Sequence, residues 1–220
     1  MKDESGFSVG VFDSGVGGKS VANAIATAIP ELNIILREDS KNLPYGNKSP
    51  ETLLSLVTPI LQSMVEAGCQ VIVVACNTVT TTIINQLRER IAVPLIGIEP
   101  MVKPAAEASR SKTIAVFATP TTLASKRYKE LKEDFAQGVE IVEPDCSKWS
   151  KLIEDNAMDK AVIQKNVDEG LSRGADVFVL ACTHYHWIED RIKAAAKGRA
   201  LVLQPQPAII ARLKTVLKQL

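Results

Sequence analysis

Two cysteines, Cys76 and Cys182, each end an apolar run and are each followed by short polar residues. Free thiols have a pKa near ~8.5, and a position at a helix N-terminus lowers it so that thiolate forms near neutral pH. Inverting a carbon centre without a cofactor requires a base on one face and an acid on the other. The sequence therefore predicts that the two thiols pass a proton to and from one carbon.

Both cysteines lie in an internal repeat. Val73–Thr78 is echoed by Val179–His184 at an offset of 106 (182 − 76), and Gly10–Ser14 is echoed by Ala115–Thr119 at an offset of 105 (117 − 12). A shared period of this length predicts two similar lobes, each within the usual size of a domain. The first lobe is expected to span residues 1–98 and the second 99–206, with a last helix at 207–220 packing back on the first.

Short β-rich runs alternate with longer segments of helical period along the whole chain. The predicted strands are Ser8–Phe12, Asn33–Leu36, Val71–Ala75, Pro94–Ile98, Thr113–Phe117, Val139–Val142, Val177–Ala181 and Ala200–Leu203. The predicted helices are Lys19–Ile29, Glu51–Ala67, Thr80–Arg90, Pro100–Ala108, Leu123–Phe135, Lys148–Ser172, Trp187–Lys197 and Pro207–Leu220. Strands that are apolar on both faces favour parallel sheets covered by helices on each side, so the predicted fold class is α/β. Because sites in such folds lie beyond the carboxyl ends of the strands, we expect both cysteines to line one cleft between the lobes.

Composition excludes several classes of protein. The chain has 220 residues, of which 46% are hydrophobic and 23% charged, and its formal net charge is +1. That balance produces no general attraction for nucleic acid or for an anionic membrane surface. The apolar run at Val9–Phe12 is too short for a signal peptide or a membrane span, so we expect a cytoplasmic protein. Four cysteines in such a chain indicate thiols rather than disulfides, and Cys69 and Cys146 are interpreted as small buried hydrophobes.

Four linked motifs resemble those of the glutamate racemases, within the aspartate/glutamate racemase family. They are Phe12–Gly18, Leu43–Gly46, Ala75–Thr78 and Cys182–Tyr185, in that order and spacing. The resemblance spans nearly the whole chain. It implies a PLP-independent two-base isomerase that interconverts L- and D-glutamate for peptidoglycan synthesis, with no cofactor and no metal. The expected partner is the small-molecule substrate, without nucleic acid or membrane, and a homodimer is possible.

The resemblance also implies roles for individual residues. Cys76 and Cys182 match the two catalytic cysteines, with Asp13 assisting Cys76, and His184 and Glu154 assisting Cys182. The positions that line the substrate pocket in the family correspond here to Ser14, Pro44, Tyr45, Gly46, Asn77, Thr78, Thr119, Thr122 and Thr183.

Several of these residues have ordinary structural interpretations as well. Asp13 could cap the helix that follows it, and Thr119 and Thr122 could form a turn. His184 could be a hydrogen-bonded core histidine, and Glu154 could be a solvated helical glutamate.

The sequence departs from the family pattern in places. Around Glu154, the segment Cys146–Lys151 lacks both the proline after the cysteine and the Val-Pro pair that are usual in the family. Lys19, His186 and Gln204 stand where an apolar residue, a proline and an acidic residue are usual. The altered segment bears on the assignment of Glu154, whereas Lys19, His186 and Gln204 bear on regulation and assembly, and none of these departures concerns the two thiols.

Two motifs allow other functions. Gly15–Ser20 resembles a phosphate-binding loop, although the first glycine of that loop falls on Asp13, whose carboxylate would repel phosphate. Cys182, His184 and His186 alternate, so on a continuing strand they could share one face and bind zinc. A strand-to-helix turn after Cys182 would break that alternation.

Two further alternatives keep the fold and the cleft. The chain could be a catalytically silent amino-acid-binding homologue, although binding alone needs no thiol. It could also racemise a related substrate such as aspartate or a hydantoin.

Overall fold

The computed structural model describes residues 6–220. The chain divides into two compact units. The first contains the described residues up to Ile98 together with Gln206–Leu220, and the second is Glu99–Pro205. Among the described residues, no helix combines the length and apolar character needed to cross a bilayer.

Each unit contains four parallel strands. Their bounds are β1 Ser8–Asp13, β2 Asn33–Glu38, β3 Val71–Val74, β4 Leu95–Gly97, β5 Thr113–Ala118, β6 Glu140–Val142, β7 Val177–Ala181 and β8 Leu201–Leu203. The helices are α1 Gly18–Ala28, α2 Pro50–Glu66, α3 Asn77–Arg88, α4 Val102–Ala108, α5 Pro120–Ala124, α6 Lys126–Phe135, α7 Trp149–Glu154, α8 Lys160–Ser172, α9 Glu189–Ala196 and α10 Gln206–Leu217.

The two sheets have the same topology. The strand order is β2-β1-β3-β4 in the first unit and β6-β5-β7-β8 in the second, and every pairing is parallel. In each unit the first strand in sequence therefore pairs with the third, and these two occupy the centre of the sheet. The predicted α/β fold with two similar lobes is confirmed.

The central strands are buried on both faces. All residues of β3, β5 and β7 are buried, and each sheet separates two clusters of apolar side chains. In the first unit one cluster includes Ile209 and Leu213 of α10, which packs against α1. Helices on both sides thus bury the sheet faces, as continuous apolar strands require.

Three predicted helices were wrong in extent. Lys148–Ser172 is two helices, α7 and α8, because Asn156 adopts a left-handed conformation at φ 51°. Asp159 then caps α8 by accepting a hydrogen bond from the Ala161 amide at 2.8 Å. The turn at Asn156 ends α7, and the Asp159 side chain supplies a hydrogen-bond acceptor to an amide that the start of α8 would leave without one.

The other two errors concern helix starts. α3 begins at Asn77 rather than at Thr80, so it starts immediately after Cys76. The helix predicted from Leu123 is interrupted at Ser125, whose extended backbone ends α5 and whose hydroxyl accepts from the Tyr128 amide to cap α6.

Candidate active site

Both cysteines lie just beyond the carboxyl end of a central strand. Cys76 lies two residues after the end of β3, with Ala75 between them, and occupies the N-cap position of α3. Cys182 follows β7 directly and precedes a 3₁₀ helix, Thr183–Ile188, that continues into α9. Both side chains are thiols outside any disulfide, and both are largely buried. For Cys76, the 12-residue helix places a partial positive charge beside the sulfur, which favours thiolate.

A serine hydroxyl contacts the sulfur of Cys76. Ser14 Oγ lies 3.4 Å from Cys76 Sγ, and both are buried. The contact follows from strand register, because Phe12 pairs with Val74 and the Ala75 amide donates to the Phe12 carbonyl at 2.7 Å. The two chains therefore leave the sheet side by side.

Asp13 is held by backbone amides. Its Oδ2 accepts hydrogen bonds from the amides of Gly15 and Gly18, both at 3.1 Å, and the side chain is fully buried. Gly18 allows this approach, since a Cβ there would lie 2.6 Å from the Asp13 Cβ. The carboxylate thus lies at the N-terminal end of α1, and it also acts electrostatically on Tyr45 beside Cys76. Asp13 therefore binds the first amide of α1, and it lies one residue before Ser14, whose hydroxyl contacts Cys76 Sγ.

Tyr45 belongs to a hydrogen-bonded cluster that sequence reasoning missed in part. Its hydroxyl donates to Asp39 Oδ2 at 2.5 Å, and Asn42 Nδ2 donates to both oxygens of the same carboxylate. Burial, the Asp39 hydrogen bond and the negative charges of Asp39, Cys76 and Asp13 all raise the pKa of Tyr45. The phenol therefore stays protonated as a fixed donor.

Asp39 could have been found from its position. It follows the end of β2, which pairs with β1 so that Asp13 lies opposite Glu38, and its amide donates to the Asp13 carbonyl at 3.2 Å. Carboxyl ends of neighbouring parallel strands meet at one edge of the sheet. Pro44 and Gly46 flank Tyr45 in the loop that follows Asp39, Gly46 lying within the 3₁₀ helix Tyr45–Asn47.

Asn77 is the first residue of α3, and only the nitrogen of its side-chain amide makes a hydrogen bond within the described residues. Its Nδ2 donates to the Ile98 carbonyl at 3.0 Å, which fixes the side chain. Its Oδ1 is buried and accepts no hydrogen bond from the part of the chain that the structure describes. An oxygen in that state is costly unless a ligand donor meets it. Thr78, the next residue of α3, is buried beside it.

Cys182 lies beside a histidine–carboxylate pair. Its sulfur is 3.6 Å from His184 Nδ1, and His184 Nε2 is 2.6 Å from Glu154 Oε1. A carboxylate accepts hydrogen bonds, so in this pairing Nε2 carries the ring proton and donates a hydrogen bond to Glu154. Nδ1 then faces the Cys182 thiol as an acceptor that can take its proton, and the resulting imidazolium would donate a hydrogen bond to the thiolate. The three residues form a relay that can move a proton on or off the Cys182 sulfur.

Ser150 also contacts Cys182, and sequence reasoning missed it. Its Oγ lies 3.6 Å from Cys182 Sγ. The only signal was its separation of four residues from Glu154, which places both side chains on one face of α7.

Three predicted threonines lie in the second unit. Thr119 follows β5, and the pairing of Ala118 with Ala181 places it next to Cys182 at the sheet edge. Its hydroxyl donates to Thr122 Oγ1 at 3.0 Å and accepts from the Thr122 amide at 3.3 Å, so the two residues form the N-terminal cap of α5. Thr183 is buried as the first residue of the 3₁₀ helix after Cys182.

The remaining cysteines are in other surroundings. Burial raises the pKa of both Cys69 and Cys146. Cys146 Sγ accepts a hydrogen bond from Asn166 Nδ2 at 3.4 Å within the core of the second unit. High pKa values keep these two thiols protonated, as expected of buried small hydrophobes.

The alternative sites are not assembled. The Gly15 and Gly18 amides that a phosphate loop would present already bind Asp13, and Lys19 Nζ lies 3.8 Å from Glu38. Within residues 6–220, no group of three or more His, Cys, Asp or Glu side chains is arranged to hold a metal ion. Both ring nitrogens of His184 instead face Cys182 and Glu154.

Fold and site together define an α/β protein with a duplicated parallel sheet and a thiol at the same strand end of each half. The family model described as Asp/Glu/Hydantoin racemase matches residues 18–213. The chain belongs to this racemase family.

Curated relatives and solved structures agree with that assignment. Glutamate racemase of Roseiflexus sp. (strain RS-1) is 34% identical over 100% of this chain and 82% of its own length. The corresponding protein of Ralstonia pickettii is 36% identical over 93% of this chain and 74% of its own. The Escherichia coli glutamate racemase structure, in complex with L-glutamate and an activator, superimposes with a TM-score of 0.89 at 29% identity and covers 96% of this chain and 82% of that one. Glutamate racemase from Aquifex pyrophilus gives a TM-score of 0.76 at 32% identity, with 95% and 83% covered.

Proposed function

We propose that this chain interconverts L- and D-glutamate by a two-base proton transfer at Cα between Cys76 and Cys182. The observation that carries the proposal is the repeated placement of a thiol at the end of the third strand of each unit, next to a hydroxyl. Relatives named glutamate racemase that match at 34–36% identity support glutamate as the substrate.

The reaction uses groups that this chain supplies. One thiolate takes the α-proton, which leaves a carbanion stabilised by the adjacent carboxylate, and the opposite thiol returns a proton to the other face. The mechanism therefore requires the two sulfurs to reach opposite faces of one α-carbon. On the Cys182 side, His184 and Glu154 adjust the protonation of the sulfur before and after each transfer.

Substrate groups would be held at the ends of the helices. The N-terminus of α3 favours an anion such as a substrate carboxylate. The buried Oδ1 of Asn77 supplies an acceptor of the kind that an α-ammonium group needs. Ser14, Pro44, Tyr45, Gly46 and Thr78 in the first unit, and Thr119, Thr122 and Thr183 in the second, are proposed as the further pocket residues.

The test is circular dichroism of the purified protein incubated with D-glutamate, L-glutamate and, separately, D-aspartate. The protein is first dialysed against a chelator and treated with hydroxylamine to remove PLP. The circular dichroism of glutamate is expected to decay to zero from either enantiomer, and that of D-aspartate is expected to decay much more slowly. Racemisation of aspartate in preference to glutamate would reassign the substrate, and no racemisation of either would remove the proposed activity.

We also propose a cytoplasmic location. Homodimer formation is also proposed, and sedimentation equilibrium with and without glutamate would test it.

A further inference from the structure

The hydroxyl beside each sulfur comes from a different part of the fold in the two units. In the first unit, Ser14 follows β1. The repeat places Thr119 at the equivalent position in the second unit, but the Thr119 hydroxyl directs its proton to Thr122. The hydroxyl 3.6 Å from Cys182 belongs instead to Ser150, on α7, an element that follows β6. The same contact is thus produced twice by non-equivalent elements.

Packing holds Ser150 in place. Its neighbour Trp149 is buried, stacks on Phe117 with ring centroids 5.4 Å apart, and meets Tyr185 edge-to-face at 5.1 Å. Four residues after Ser150 on the same helix face, Glu154 binds His184. One anchored face of α7 therefore presents a hydroxyl to the sulfur and a carboxylate to the histidine beside it.

The Ser150 hydroxyl has a second neighbour. It also lies within hydrogen-bonding reach of the Tyr185 hydroxyl, which itself donates to the Cys146 carbonyl at 3.2 Å. A hydroxyl carries one proton and two acceptor positions. When Cys182 is a thiolate, Ser150 can donate to the sulfur; when Cys182 is a thiol, Ser150 can turn its proton to the Tyr185 oxygen and accept from the sulfur.

We propose that Ser150 is a positioning residue that stabilises the thiolate of Cys182 through its O–H···S hydrogen bond, so that this thiol can act as a base near neutral pH. This inference rests on the proposed function, because it gives Cys182 the role of a proton-transfer base. A hydrogen bond made to the charged form of an acid favours that form.

The experiment compares two substitutions of the same shape. Ser150→Thr keeps the hydroxyl and Ser150→Val replaces it with a methyl group, and both add one β-branch. Each is made in the full chain carrying Cys76→Ser, and the rate of Cys182 alkylation by iodoacetamide is followed against pH, with mass spectrometry to locate the modified cysteine. Ser172→Val, at an exposed serine in the last position of α8, controls for a serine-to-valine change in a helix.

We expect Ser150→Val to raise the midpoint of the alkylation profile by about one pH unit, so that alkylation at pH 7 becomes about tenfold slower. Ser150→Thr and Ser172→Val should leave the midpoint within about 0.3 units of the parent. An unchanged midpoint in a folded Ser150→Val protein would overturn the proposal, as would equal shifts in the threonine and valine variants. If valine prevents folding, Ser150→Ala takes its place, with the same expected shift and the same contrary result.

Racemisation supplies a second readout in chains that keep both cysteines. Ser150→Val should lower kcat at pH 7 about tenfold and recover at higher pH, where the thiolate forms without help. A loss that pH does not restore would indicate disturbed packing and contradict the proposal. Because the alkylation midpoint is measured without substrate, it still tests Ser150 if the parent chain proves not to racemise glutamate.

Discussion

The Cys76 site and the Cys182 site share a strand end but differ in the groups that handle protons. The Cys76 sulfur lies beside Ser14 and near Tyr45, and Asp13, the residue before Ser14, is bound to backbone amides. The Cys182 sulfur lies beside a histidine that is paired with a carboxylate. Duplication of the sheet therefore set the position of both thiols. The groups around them differ, because the repeated segments carry different residues and because Tyr45, Ser150 and Glu154 come from segments outside the repeat.

The difference implies that the proton transfers at Cys76 and at Cys182 are assisted by different groups. Imidazole can take and return a proton near neutral pH, whereas a carboxylate already bound by two amides is a weak base. We therefore expect the two directions to respond differently when these partners are changed. Since enantiomers have equal free energies, kcat/KM must fall equally in both directions, so the asymmetry is read in kcat.

The largest effect is expected from the thiols themselves. Cys76→Ser or Cys182→Ser should lower racemisation by about 10³-fold or more, because a hydroxyl is a far weaker acid than a thiol. In heavy water each variant should still exchange the α-proton of one enantiomer, a different one in each case, as measured by proton NMR.

The control for both is Cys69→Ala, at a buried thiol two residues before β3 and so at the opposite end of that strand from Cys76. It should keep racemase activity in the folded protein. Racemisation at the parent rate in either serine variant would show that the two sites do not act as a pair.

A smaller effect is expected at the assisting groups. His184→Asn should lower kcat about 10²-fold, and more strongly in one direction, because the relay to Glu154 is lost. Asp13→Asn should lower kcat mainly in the opposite direction. Stopped-flow circular dichroism, started from each enantiomer, measures kcat in the two directions for both variants. Equal losses of kcat in the two directions would contradict the asymmetry between the Cys76 and Cys182 sites.

A substitution at Gly18 tests how closely α1 packs against Asp13 in the first unit. Gly18→Ala places a Cβ 2.6 Å from the Asp13 Cβ, so α1 or the carboxylate must shift. We expect a loss of about 1–3 kcal/mol in the free energy of unfolding, measured by urea denaturation. Asn23→Ala, at an exposed position of the same helix, should be neutral or slightly stabilising; a stable Gly18→Ala protein would mean that the approach of α1 to Asp13 is not tight.

The pH dependence of the free energy of unfolding tests the surroundings of His186, which lies close to Cys182 in the sequence. Burial and the neighbouring His184 lower the pKa of His186 from 6.5 to about 4. As the pH falls, the unfolded chain therefore protonates His186 at a higher pH than the folded protein does. His186 thus leaves the free energy of unfolding unchanged above pH 6.5 and lowers it as the pH falls towards 4. The free energy of unfolding should drop by about 2 kcal/mol more between pH 7 and 4.5 in the parent than in His186→Gln. Parallel pH profiles for the two proteins would place His186 in a more hydrated environment.

Much of this molecule was predictable from local pattern. The apolar runs of β3 and β7 identified buried parallel strands, and the shared offset near 105 identified the duplication, since a repeated topology preserves spacing. The break between α7 and α8 was missed because the helical period runs through it. Only the left-handed Asn156 and the Asp159 cap reveal it.

Sequence alone determined the fold class, the duplication and the position of Cys76 and Cys182 at strand ends, because these depend on periodicity and spacing along the chain. Only the tertiary structure decided which groups meet each sulfur. Ser150 and Glu154 reach Cys182 and His184 from about 30 positions away, and Asp39 reaches Tyr45 across a loop. Such contacts depend on how strands are ordered and helices packed in space, which no local pattern records.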